Sequence, residues 1–218
     1  MHTKRIAAGA DKERKWTTTP RGPHKRRDSI PLVKMLVDLG LADKRKEARK
    51  IIIDGKVLVD GKKRKEPSFG VGLMDVVSIP ELKKHYRIIA VKKGLSYKEI
   101  PEKEANVKLC RVTGKKLVSD GKTQVNLHDG GSLITDKDVK VKDTLVVELP
   151  DRKMKEVIAY AVGDQVIVVH GRHRGETGSI KDVLDATGSR KSLTAVNDFQ
   201  TLTDYVFVVG KDKAMVEI

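Results

Sequence analysis

The sequence predicts an α+β chain of several small domains. A basic extended tail leads into a helical hairpin with a small β-sheet, and a central all-β domain and a C-terminal small β-barrel follow. Three observations carry that expectation: helix-period apolar spacing in one stretch near the N-terminus, short β-branched runs divided by glycine turns over the remainder, and positive charge concentrated ahead of both. At 218 residues the chain is long enough for two or three small domains, and 39% hydrophobic content supplies cores for them. The expected divisions are residues 1–28 for the tail, 29–79 for the hairpin module, 80–157 for the central β domain and 158–218 for the barrel.

Charge narrows the class of partner. Lys plus Arg number 45 against 30 Asp plus Glu, a net +15 that favours a polyanion. Residues 1–65 hold 20 basic and 8 acidic side chains, a net +12, whereas residues 158–218 hold 7 and 8, a net −1. The basicity is therefore placed, not spread. No apolar run approaches the roughly 18–20 residues of a bilayer span, and the N-terminus lacks the apolar core of a secretion signal, so a cytoplasmic location is expected. The single cysteine, Cys110, has no internal disulfide partner and is read as filler in a strand.

The tail, residues 1–28, carries nine Lys or Arg, with Ile6 and Trp16 its large apolar side chains beyond Met1. So little apolar surface predicts disorder in isolation and ordering on a polyanion. Pro20 and Pro23 stiffen its densest patch, and Lys4, Arg5, Lys15, Arg21, His24, Lys25, Arg26 and Arg27 are its expected contacts. On this reading, deleting residues 1–27 leaves the melting of the free protein intact.

In the hairpin, Leu32, Met35, Leu36 and Leu39 share one helix face, with Ser29 as N-cap, Pro31 in the first turn and Gly40 as the stop. Asp43 is expected to cap a second helix running to about Ile53. Asp54-Gly55 then turns into a strand where Val57 and Val59 alternate with polar neighbours, and Asp60-Gly61 turns again. At about 100° per residue, Ala48, Ile51 and Ile52 fall on one arc of the second helix, while Arg45 and Arg49 lie along its border. Lys46 and Lys50 continue around, and Lys44, Lys56, Lys62, Lys63, Arg64 and Lys65 extend the basic surface. Guanidinium forks on such a border suit phosphate oxygens.

The central domain reads as strands at residues 86–91, 107–112, 115–118, 123–127 and 139–149, with breaks at Thr113-Gly114, Asp120-Gly121 and Gly130-Gly131. A short helix is expected at residues 101–104. Next comes a strand at 162–170, a loop containing Gly171, Gly175 and Gly178, and a strand at 179–183. Neither nucleotide-loop pattern fits, because no Gly-Lys-Ser/Thr closes the loop and no helix follows it. Arg172, His173 and Arg174 occupy its tip, and strands at 192–196, 205–209 and 214–218 would complete a barrel.

The order Leu39-Gly40-Leu41-Ala42, Lys44-Arg45, Ala48-Arg49, Ile52, Gly55, Val57 to Gly61, Pro67 and Asp75-Val76-Val77 resembles the alpha-L RNA-binding module. That module is shared by several ribosomal proteins, RNA modification enzymes and an aminoacyl-tRNA synthetase. The glycine loop after His170 resembles the KOW motif of ribosomal proteins and transcription elongation factors. Together with Gly22-Pro23-His24-Lys25, the run from Gly72 to Ile79, Lys108 to Val112, Val141 to Thr144 and Phe207 to Gly210, this order is similar to the e-type family of small-subunit ribosomal protein four, in its archaeal form.

The resemblance implies a structural component of the small ribosomal subunit, ribosome-bound in the cytoplasm. Its partners would be small-subunit ribosomal RNA and neighbouring small-subunit ribosomal proteins. It implies no catalysis, cofactor, metal, membrane or small-molecule substrate, and no independent homo-oligomer. Eight aromatics in the whole chain make base stacking a poor mode, Trp16 excepted, so backbone charge and RNA shape are the expected basis of recognition. Two other classes share the modules. An RNA-modifying enzyme would need a nucleophile or carboxylate pair that residues 80–157 do not offer; His128-Asp129 beside Gly130-Gly131 reads as a turn, and His170 and His173 lack a third ligand. A translation or transcription factor would visit the ribosome transiently.

Overall fold

The computed structural model describes residues 18–118, 121–187, 191–211 and 213–216. Among these the fold is mostly β, with three short α-helices. It divides into two compact units: residues up to 89 with 93–108 and 148–151, and residues 90–92, 109–147 and 152 onward.

In the first unit, strand β1 (Ser29–Pro31) pairs antiparallel with β4 (Gly70–Gly72), from Ser29↔Gly72 to Pro31↔Gly70. Ser29 is thus a strand residue, not the expected N-cap. Its hydroxyl donates to the Lys25 carbonyl at 3.0 Å. Helix α1 (Leu32–Asp38) has Pro31 as its N-cap, and its first amides are satisfied from outside: Leu32 N–H donates to Phe69 O at 2.8 Å and Val33 N–H to Pro67 O at 3.0 Å. Those long-range carbonyls make a side-chain cap unnecessary. Gly40 ends the helix as expected, at φ +68°, with Leu41 N–H reaching Leu36 O and Gly40 N–H reaching Val37 O.

Helix α2 (Arg45–Ile53) is capped by Lys44, one residue after the expected Asp43, whose own N–H donates to the Glu47 carboxylate at 3.1 Å. Ala48 and Ile52 are fully buried against Leu32, Met35 and Leu36 in one core. The next turn closes on Gly55 at φ +75°, and Asp60-Gly61, both in the left-handed region, form the two-residue loop between β2 (Leu58–Val59) and β3 (Lys62–Lys63). The sheet continues through β5 (Val76–Ile79), β6 (Lys84–Val91) and β7 (Gly94–Ile100), in the order β3-β2-β5-β6-β7, so hydrogen bonding runs across residue 80. The outer strand β3 is two exposed lysines. Helix α3 (Glu102–Ala105) starts after Pro101, close to where it is expected.

Strand β8 (Val107–Leu117) leads into a second sheet with β9 (Thr123–Leu127), β10 (Ser132–Thr135), β11 (Thr144–Glu148) and β12 (Lys153–Ile158), ordered β10-β9-β8-β11-β12. The expected break at Thr113-Gly114 is a register shift inside β8, where Val112 faces Leu127 but Gly114 faces Asn126. The expected strand at 139–149 is shortened to β11. Asp143 folds the preceding residues into a turn by accepting the N–H groups of Lys140 at 2.8 Å and Tyr160 at 3.0 Å. Cys110 is buried in β8, as its neighbours suggest.

The third sheet comprises β13 (Gln165–Val168), β14 (Thr177–Leu184), β15 (Leu193–Val196), β16 (Phe199–Leu202) and β17 (Val206–Gly210), ordered β16-β15-β14-β13-β17. Residues 213–216 are not a strand, unlike the expectation for 214–218, although Met215 N–H still donates to Val209 O at 2.9 Å. In the glycine loop, Gly175 has φ +84°, and a Cβ there would lie 2.8 Å from the backbone of Val91 and Lys92. Backbone cannot yield as a side-chain tip does. Gly175→Ala is expected to lower the unfolding free energy by about 1–3 kcal/mol, and an unchanged urea midpoint would refute the close approach.

Candidate nucleic-acid interface

Helix α2 sets the geometry. Its apolar arc is anchored in the core, which turns Lys44, Arg45, Lys46, Arg49 and Lys50 to the exposed side. Arg45, Lys46 and Arg49 line a cleft of about 330 Å³, with Val33, Glu66 and Ser68 among its other walls. Glu66 is the cleft's acid. Hydrogen bonds from the Ser68 hydroxyl and amide, with the charges of Arg21 and Arg49, hold its carboxyl below the usual range. The three cations outnumber it, so the cleft favours an anion.

Lys62, Lys63 and Lys65 are exposed beside this helix-and-strand unit, and Lys56 is exposed but paired with Glu81 at 3.1 Å. Arg64 is half-buried, its guanidinium 4.5 Å from the centre of the Phe69 ring. Of the tail, Lys4, Arg5, Lys15 and Trp16 lie outside the described residues.

Residues 18–28 correct the expectation of a disordered tail over that part. Arg21 forms a parallel bridge with Phe69, donating to Ser68 O and accepting from Gly70 N–H, each at 2.7 Å. Pro20 is buried. Arg21, Lys25, Arg26 and Arg27 are exposed, but the His24 side chain is only 5% exposed, with Nε2 2.9 Å from Asp75 Oδ2. His24 therefore faces inward and leaves the set of outward cations. Hydrogen bonding holds the segment, and a count of apolar residues does not register that.

Beneath it lies a polar network that the sequence reading missed. Lys108, 1% exposed, places Nζ 2.6 Å from both Asp60 Oδ2 and Asp75 Oδ1. Burial alone would raise the Asp75 carboxyl, but Lys108 and His24 together outweigh it and hold it well below the carboxylate range. Burial, followed by the Asp75 charge, pushes Asp60 up instead. The depressed Asp75 contributes stability that is present above its unfolded pKa of about 3.9 and is lost as pH falls through its folded value. Asp75→Asn is accordingly expected to be less stable than the parent at pH 7, with the deficit narrowing below about pH 4. Urea titrations from pH 7 to pH 3 check this, and a deficit constant with pH would contradict it.

At the glycine loop of the second unit, Arg172 is exposed. His173 stacks on Phe199 at 4.2 Å between ring centroids and pairs with Glu176 at 3.0 Å. Arg174 donates to the carbonyls of Val91 at 3.0 Å and Lys92 at 2.9 Å. Two of the three expected contacts at this tip are thus committed to the fold. His128 and Asp129 sit in the expected turn: His128 Nδ1 accepts the Arg111 N–H at 3.1 Å, and Asp129 pairs with Arg152 at 2.6 Å. Among the described residues, no helix is long and apolar enough to cross a membrane.

A model described as the S4 domain matches residues 30–77, and one described as Ribosomal family S4e matches residues 82–154. The chain is 38% identical over 227 residues to the small ribosomal subunit protein eS4 of Methanocella arvoryzae, covering 99% of this chain and 97% of that one. It is 39% identical over 234 residues to the protein of the same name from Archaeoglobus fulgidus, covering 100% and 98%. The crystal structure of the 30S ribosomal protein S4e from Thermoplasma acidophilum superimposes with a TM-score of 0.76 at 34% identity, covering 86% of this chain and 97% of that one.

Proposed function

The chain belongs to the S4e family of ribosomal proteins, and from that premise we propose that it is a structural component of the small ribosomal subunit that binds ribosomal RNA. The observation that carries the reading is the exposed row Lys44, Arg45, Lys46, Arg49 and Lys50, bordering an anion-favouring cleft on a helix whose other face is fixed in the core. Such a surface grips backbone phosphates and reads RNA shape, not base edges. Residues 29–79 act as a docking module of the alpha-L type, Arg21 and Lys25 to Arg27 extend its basic surface, and Lys56, Lys62, Lys63, Arg64 and Lys65 flank it. Residues 158–218, with KOW-type character and near-neutral charge, meet neighbouring small-subunit proteins, with Arg172 reaching RNA.

The family is one of structural ribosomal proteins and not of enzymes, so docking is the purpose of the basic surface and not a prelude to chemistry. A sucrose gradient tests residence. Co-migration with small subunits through a high-salt wash is the expected result, and release at modest salt would mark a transiently bound factor. Binding to ribosomal RNA should also weaken linearly in log salt, and a salt-independent affinity would remove the phosphate assignment.

A further inference from the structure

We propose that the His24–Asp75 pair is a latch that positions the basic segment 20–28 for RNA, so that His24 is a positioning residue and not a phosphate contact. The inference rests on the RNA-binding reading above and gives one side chain the task of tying down the segment's middle.

The segment is fixed at three points. At its start Arg21 is hydrogen-bonded on both sides, to Ser68 and Gly70, at 2.7 Å each. At its end Ser29 enters β1 opposite Gly72. Between these, Gly22, Pro23, Lys25, Arg26 and Arg27 are exposed, whereas the His24 side chain turns inward and is 5% exposed. The site is shaped for the ring. An ideal Cβ on Gly72 would lie 2.4 Å from His24 Nδ1, so glycine leaves the imidazole its place, while Gly72 N–H donates to Asp75 Oδ2 at 2.9 Å. Asp75 is itself held by Lys108 Nζ at 2.6 Å, which makes the carboxylate a rigid anchor.

Within the segment, Asp28 N–H and the Ser29 hydroxyl both return to the Lys25 carbonyl, which closes a turn onto the start of β1. His24 adds a side-chain tie from the middle of the segment to Asp75 in the body of the unit. Releasing it leaves Arg21, Lys25, Arg26 and Arg27 in the chain but lets the backbone between the two fixed ends wander, and the ordering cost then falls at the moment of binding.

The test compares the full-length protein with His24→Ala and His24→Gln for binding to a small-subunit ribosomal RNA fragment across a salt series, with amide exchange of the free proteins alongside. His24→Ala is expected to bind about tenfold more weakly at every salt, on a line parallel to the parent, because no phosphate-facing cation has been removed. Its amides in residues 22–28 should exchange faster. His24→Gln, whose amide can still donate to Asp75, should recover most of the affinity and the protection. Unchanged affinity in His24→Ala overturns the latch. So does a slope flatter by about one, which would make His24 a phosphate contact. A glutamine variant that keeps the parental unfolding midpoint yet binds as weakly as alanine also overturns it. A parent protein that fails to bind ribosomal RNA overturns the RNA reading, and this role with it.

Discussion

Lys108→Met is expected to lower the unfolding free energy at pH 7 by about 3–5 kcal/mol, the range for removing one partner of a buried charge cluster. The ammonium is 1% exposed and touches two carboxylates at 2.6 Å. Without it, two buried carboxyl groups, Asp60 and Asp75, lose the ammonium that both of them contact. Methionine preserves the volume of the stem, so the loss measures the charge and not a cavity. Acid should soften the effect, since protonating the two carboxylates removes the repulsion that lysine had masked. An exposed control, Lys50→Met, should stay within about 0.5 kcal/mol of the parent. Urea unfolding at pH 7 and pH 4 makes both comparisons; a Lys108→Met protein as stable as its control would show that the cluster is not a keystone of this unit.

The second large effect is on RNA. Arg45→Ala with Arg49→Ala should flatten the dependence of log affinity on log salt by about 1.8, at about 0.9 for each duplex phosphate that is no longer neutralised. If the two lines meet near 1 M salt, that slope difference corresponds to roughly 60-fold weaker binding at about 0.1 M. Both side chains are exposed, so the melting of the free protein should not move. Weaker binding with an unchanged slope would mean that the arginines act through something other than phosphate. Arg172→Ala should cost far less, because it stands beside His173 and Arg174, which are tied into the fold.

These two predictions differ in how far the sequence could announce them. The exposed cations of α2 were legible because helix period alone decides which residues face the core once Ala48 and Ile52 are buried. Glycine stops at Gly40 and Gly55 were legible for a related reason: a left-handed residue is a local requirement. Caps were not, since α1 draws its partners from Pro67 and Phe69, more than thirty residues away in the chain. Strands β7, β10, β12 and β16 escaped notice because exposed polar residues dilute their alternation, as Lys153 and Glu156 do in β12. The Lys108 cluster was hidden most deeply. A lysine between Val107 and Leu109 reads as a solvated strand residue, and its two carboxylates come from a turn and a strand start far back in the chain.

The structure also revises the tail experiment. Removing residues 1–27 would take away buried Pro20, the bridge from Arg21 and the His24 partner of Asp75, so a loss of stability without RNA is now the expected outcome.

The two-lysine strand β3 has one more consequence. The margin of a sheet offers unpaired amides and carbonyls to any strand that drifts past, including the same margin on a second copy. On this margin an approaching copy would set Lys62 and Lys63 against their own twins, and repulsion stops the pairing before hydrogen bonds can form.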